Sequence, residues 1–77
     1  MVRCHLGRLL GERKLKISDL ARATGINRGT LTRLYYERAQ RIELADLDKL
    51  CNFLVCQVGD LFTYQASSER LTEGRGD

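Results

Sequence analysis

The stretch LARATGINRGTLTRL, residues 20–34, sets the strongest limit on what this chain can fold into. Leu20, Ala21, Leu31 and Leu34 stand at helical spacing, yet Gly25-Ile26-Asn27 breaks the period after about two turns. Glycine readily takes the left-handed conformation that stops a helix, and asparagine is a good N-cap for the next one. The spacing therefore predicts a helix over residues 17–24, a tight turn, and a second helix over residues 28–36. Two short helices joined by a glycine-containing turn make a helix-turn-helix. Ala21 is small enough to let the helices approach, Ile26 plugs the turn into the core, and Leu31 and Leu34 anchor the second helix from beneath.

The flanking sequence supplies three more helices. Val2, Leu6, Leu9 and Leu10 fall on one face at i, i+4, i+7, i+8 and predict a first helix of two to three turns, with Gly11 near its end. Ser18 is a candidate N-cap for the second helix, and Asp19 suits its positive end. After a short basic loop over residues 37–41, Leu44, Leu47, Leu50, Cys51 and Leu54 mark the core face of a fourth helix. Val58, Leu61 and Phe62 are the apolar positions of a fifth, one or two turns long. The expected fold is all-α: a five-helix domain over residues 1–64, followed by a disordered tail over residues 65–77 with little to bury beyond Leu71.

Seventy-seven residues allow one small domain, and a hydrophobic content of 43% is enough for its core. The absence of proline and the few aromatics favour helices over a small barrel or sandwich. No apolar run is long enough for a membrane span or a secretory signal, so the expected location is the cytoplasm. Three cysteines without a CxxC argue against a disulfide scaffold, and their spacing with His5 does not suit a zinc finger, so no metal or cofactor is expected. Cys51 reads as a small core residue and His5 as a partly exposed side chain without a role. No catalytic set of nucleophile, base and acid is evident, which excludes an enzyme reading.

Charge is divided along the chain. Residues 1–42 carry ten basic side chains against three acidic ones, whereas residues 43–64 carry Lys49 against four acids. Charge alone does not separate a polyanion-binding front from an ordinary solvated surface. The outward face of the third helix does. Arg28, Gly29, Thr32, Arg33 and Tyr36 share an arc of roughly 140° opposite Leu31 and Leu34. That face offers two guanidinium groups, a hydroxyl, a phenol and a gap at Gly29. Arginine can grip guanine through two hydrogen bonds, threonine can meet a thymine methyl, and the glycine lets the backbone come close.

The pattern in ISDLARATGINRGTLTRL resembles the Cro/cI-type, or xenobiotic-response-element, helix-turn-helix family. It has Leu-Ala, a glycine four residues later, and apolar residues six and nine positions beyond that. LADLDKLCNFLVCQVGDLF is similar to the fourth and fifth helices of the same lambda-repressor-like fold, and the resemblance covers residues 4 to about 64. It implies a regulator, expected to be a repressor, that binds operator DNA as a homodimer. Carried over by position, Arg28, Gly29, Thr32 and Arg33 face the bases. Lys16, Ser18, Asn27, Arg38, Gln40 and Arg41 face phosphates, Ile17 does so through its backbone N–H, and Tyr36 either touches DNA or covers the helix end. Some relatives pair a charge late in the first helix with a Glu late in the third; Leu10 and Tyr35 stand there, which predicts packing in place of an ion pair. Since one recognition helix reads only four or five base pairs, a dimer on an inverted-repeat duplex is expected, with its interface near Val55, Val58, Phe62 and Tyr64. Two other readings remain: an antitoxin-like or adaptor module whose main partner is a protein, and a regulator that is also sensitive to cysteine oxidation.

Overall fold

Seven elements follow one another in the computed structural model, which describes residues 1–66. They are β1 (Val2–Cys4), α1 (Leu6–Glu12), α2 (Ile17–Thr24), α3 (Arg28–Tyr35), α4 (Leu44–Leu54), α5 (Val58–Leu61) and β2 (Phe62–Tyr64). The predicted helices over 17–24 and 28–36 correspond to α2 and α3, and Gly25 between them is left-handed at φ 77°. The expected tail lies outside the described residues from residue 67 onward. No helix among the described residues is long and apolar enough to cross a membrane.

Nine leucines and Ile26 form the core: Leu6, Leu9 and Leu10 from α1, Leu20 from α2, Leu31 and Leu34 from α3, Leu50 and Leu54 from α4, and Leu61 from α5. No polar or charged residue is buried among the described residues, so the interior needs no internal hydrogen-bond network. Ile26 does plug the turn, at 5% exposure. Leu44 does not belong to the core face; it is 78% exposed at the first position of α4, where the helix has not yet turned against its neighbours. Cys51 is only half-buried.

Four helices end on a left-handed residue, and only Gly25 is the glycine that such a position favours. Lys14 (φ 56°), Glu37 (φ 58°) and Val55 (φ 52°) do the same for α1, α3 and α4. Each is followed by an amide that reaches back five residues. Leu15 N–H donates to Leu10 C=O at 2.9 Å, Arg38 to Arg33 at 2.7 Å and Cys56 to Cys51 at 3.1 Å. This six-to-one bond gives a carbonyl of the helix's last turn a donor from beyond the helix and draws the first and sixth residues of the turn together.

The sequence-based expectation of an all-α fold needs one correction. Val2 is not in the first helix; it lies in β1, which pairs antiparallel with β2 in the register Val2–Tyr64, Arg3–Thr63 and Cys4–Phe62. Met1 and Gln65 extend the ribbon by exchanging backbone bonds of 2.8 Å each way. Phe62, expected in the fifth helix, opens β2 and packs against the core. At the ribbon's end, a His5 ring nitrogen meets the Thr63 hydroxyl at 2.8 Å, a contact the sequence reading did not assign.

Glu37 ties this ribbon to the end of α3. Its carboxylate accepts two bonds from the Arg3 guanidinium, at 2.8 and 3.0 Å, and a third from the Cys4 N–H at 3.1 Å. These donors, Arg3 first, hold its carboxyl down to about 2, against an ordinary 4.5. A carboxyl whose folded-state pKa is depressed stabilises the fold above its unfolded pKa and loses that contribution as pH falls through the folded one. Stability is therefore expected to drop between pH 4.5 and about 2. Glu37→Gln should lower the melting temperature at pH 7 and flatten that acid limb in thermal melts followed by circular dichroism. An unchanged limb would place the acid sensitivity elsewhere.

Candidate nucleic-acid interface

Asn27 starts α3 by accepting Gly29 N–H at 2.7 Å and Thr30 N–H at 3.3 Å with its side-chain oxygen. The cap depends on Gly29, because a Cβ there would sit 2.9 Å from Asn27 Oδ1 and displace it. The glycine thus has a structural reason besides the close approach to a ligand that the sequence suggested. Beyond the cap, Arg28, Thr32, Arg33 and Tyr36 are all exposed, while Leu31 and Leu34 are buried on the opposite side. Gly29 lies between them, half-buried. Arg33 makes one long contact to the Thr30 hydroxyl, at 3.5 Å.

The pairing of the arginines separates two populations, while Lys14, Lys16 and Lys49 make no ion pair among the described residues. Arg3, Arg8, Arg13 and Arg22 each have a carboxylate within 4.0 Å: Glu37, Glu12, Glu12 and Asp19 respectively. Arg13 also donates to Leu54 C=O at 2.9 Å, closing the end of α4. Arg28, Arg33, Arg38 and Arg41 have no carboxylate partner among the described residues. All four belong to α3 or the loop after it. The structure therefore spends the acids of the front half on cations away from α3 and leaves the α3 set free.

Three of the free guanidiniums share one cleft. A depression of about 390 Å³ between α3 and the following loop is bordered by Thr30, Arg33, Arg38, Gln40 and Arg41, and also by Glu43 and Asp46. Arg33 and Arg38 stand at the two ends of the six-to-one turn that closes α3, and both border this cleft. Arg38 also lies over the Tyr36 ring, 5.8 Å from its centroid, and Tyr36 packs edge-on against Tyr35 at 4.9 Å. Tyr35 in turn rests over Gly7 of α1, where an added Cβ would be 3.5 Å from its ring. So Leu10 is buried and Tyr35 packs, as expected; the ion pair joining the chain's start to the end of α3 is made by Arg3 and Glu37.

The start of α2 is less open than the sequence suggested. Ser18 is not its N-cap. Lys16 holds that position, and Asp19 reaches back to accept Lys16 N–H at 2.9 Å. That bond, and then Arg22 at 3.0 Å, lower the Asp19 pKa. Lys16 is exposed, while Ile17 and Ser18 are half-buried, with Ile17 against the core. An anion approaching this end would meet the Lys16 ammonium beside an ionised carboxylate.

The four residues named for self-association are not alike. Val55 and Val58 are 84% and 51% exposed, and Phe53 beside them is 40% exposed. Tyr64 is exposed on β2, whereas Phe62 is turned into the core. Val55, Val58 and Phe53 are thus each exposed at the end of α4 and the start of α5. The sequence reading missed Phe53 because it sits between core positions of α4. It also missed Thr30 as a wall of the arginine cleft; its signal was the position one turn before Arg33.

A helix-turn-helix with a free cationic face on its second helix defines the class of DNA-binding helix-turn-helix proteins. A sequence model of the Cro/C1-type HTH DNA-binding domain matches residues 5–67, and the chain belongs to that family. It is also similar to YozG of Bacillus subtilis, described as an uncharacterized HTH-type transcriptional regulator. The two are 31% identical over 61 residues, which cover 79% of this chain and 73% of the relative.

Proposed function

We propose that this protein is a sequence-specific transcription regulator that reads the major groove with α3 and represses the genes it controls in the cytoplasm. The observation that carries the reading is the segregation of charge: four arginines without carboxylate partners on α3 and its loop, beside four that are paired elsewhere. Arg28, Gly29, Thr32 and Arg33 meet base edges. Arg38, Gln40 and Arg41, with Lys16, Asn27, Tyr36 and the Ile17 and Ser18 amides, position the protein on phosphates. A single α3 covers too few base pairs for a unique address. A homodimer joined near the exposed Val55, Val58, Phe53 and Tyr64 supplies the second.

Selection from a randomised duplex pool tests this directly. The expected product is an inverted repeat whose half-site centres lie one helical turn apart, about 10–10.5 base pairs. A pool that shows no enrichment, with equal binding to every duplex, would overturn sequence-specific reading. Enrichment of a single half-site would overturn the dimer alone.

A further inference from the structure

We infer that Cys51 and Cys56 form a dithiol site that hydrogen peroxide closes to an intramolecular disulfide. This inference is independent of the DNA-binding reading. Three observations carry it. First, α4 ends with Val55 in the left-handed conformation, and Cys51 C=O accepts both the Val55 and the Cys56 N–H, the latter at 3.1 Å. This is the six-to-one turn that brings the side chains of its first and sixth residues together. Such pairs are commonly apolar; here both are thiols. Second, the two thiols interact electrostatically, Cys51 being one of the groups that raise the Cys56 pKa. Third, both border one open cleft of about 360 Å³, with Asn52, Val55, Gln57 and Asp60, which a small oxidant can enter. Cys4 borders a different cleft, with Glu37 and Phe62.

The chemistry balances with peroxide as the oxidant. One thiolate attacks a peroxide oxygen; the O–O bond breaks, hydroxide leaves and is protonated to water, and the sulfur becomes a sulfenic acid. The second thiolate attacks that sulfur, the S–O bond breaks, and a second hydroxide leaves as water. The two thiols lose one hydrogen each, and the peroxide takes up the two electrons. Burial raises the Cys56 pKa, as do the Cys51 thiol and Asp60, while Arg13 opposes them. The thiolate is therefore scarce at neutral pH, and closure should accelerate as the solution is made alkaline.

The test uses the full chain, oxidised with hydrogen peroxide, then alkylated and cut with trypsin. No lysine or arginine separates the two cysteines, so residues 50–70 form one peptide, and Cys4 falls in residues 4–8. The expected result is a 50–70 peptide lighter by two hydrogens that resists alkylation, beside a fully alkylated 4–8 peptide. In Cys56→Ser, the light peptide should vanish and dimedone should trap a sulfenic acid at Cys51. A glutathione redox buffer supplies the check on geometry. The disulfide-to-dithiol ratio should be at least about tenfold higher in the folded chain than in concentrated urea, a difference of one decade in effective thiol concentration. A ratio no higher in the folded chain, a disulfide that recruits Cys4, or cross-linked chains as the main product would each overturn the inference.

Discussion

Replacing Arg33 by alanine is expected to weaken binding to the selected operator by roughly 5- to 150-fold per half-site, the 1–3 kcal/mol that a base-reading arginine supplies. Stability should stay within about 0.5 kcal/mol of the parent, because Arg33 is exposed and its contact to another side chain is a 3.5 Å bond to Thr30. The loss should fall on one or two base pairs of each half-site. Fluorescence anisotropy titrations against the operator and its point-substituted versions measure both quantities. An equal loss on random duplex would reassign Arg33 to phosphate contact. Arg38→Ala and Arg41→Ala give the contrast: they should weaken all duplexes alike and reduce the salt slope by about one each.

The second large effect concerns the core. Leu20→Ala should cost about 2–5 kcal/mol, since the side chain is fully buried where α2 packs on α3 and α4. A domain this small has a total stability of only several kcal/mol, so the substitution removes a large part of it. At about 4–8 °C per kcal/mol, the melting temperature should fall by about 8 °C or more. Circular dichroism at increasing temperature reads this. A fall of less than about 4 °C would mean that the helices repack around the gap.

The legible parts of the fold were those with a local cause. Gly25 and Asn27 announce the turn because a left-handed stop and an N-cap each act within three residues. Leu31 and Leu34 reveal the buried side of α3, and Arg28, Thr32 and Arg33 its opposite, through the helical repeat alone. What escaped depends on partners distant in sequence or on atypical residues. A three-residue strand has no period to detect, and the partner of Val2 is Tyr64. The bond from Arg3 to Glu37 spans 34 positions. Lys14, Glu37 and Val55 end helices in a conformation that residue type would not suggest, so the six-to-one turns after α3 and α4 were not foreseen. With them went the cleft that Arg33 shares with Arg38 and the one that Cys51 shares with Cys56. Ser18 looked a better cap than Lys16 by its side chain, yet the bond is made by Asp19 reaching back.

The ribbon that fastens Met1 to Gln65 makes residues 1–65 a closed ring in all but one covalent link. Joining residue 65 to residue 1 through a few glycines should leave the helices in place. The chain could then be reopened elsewhere, and the choice of new ends becomes a probe. Ends cut between α1 and α2, where Lys14 is exposed, preserve the arginine loop; ends cut between Arg38 and Arg41 sever it. Comparing these two permuted proteins would show whether that loop must be continuous for the domain to grip its ligand.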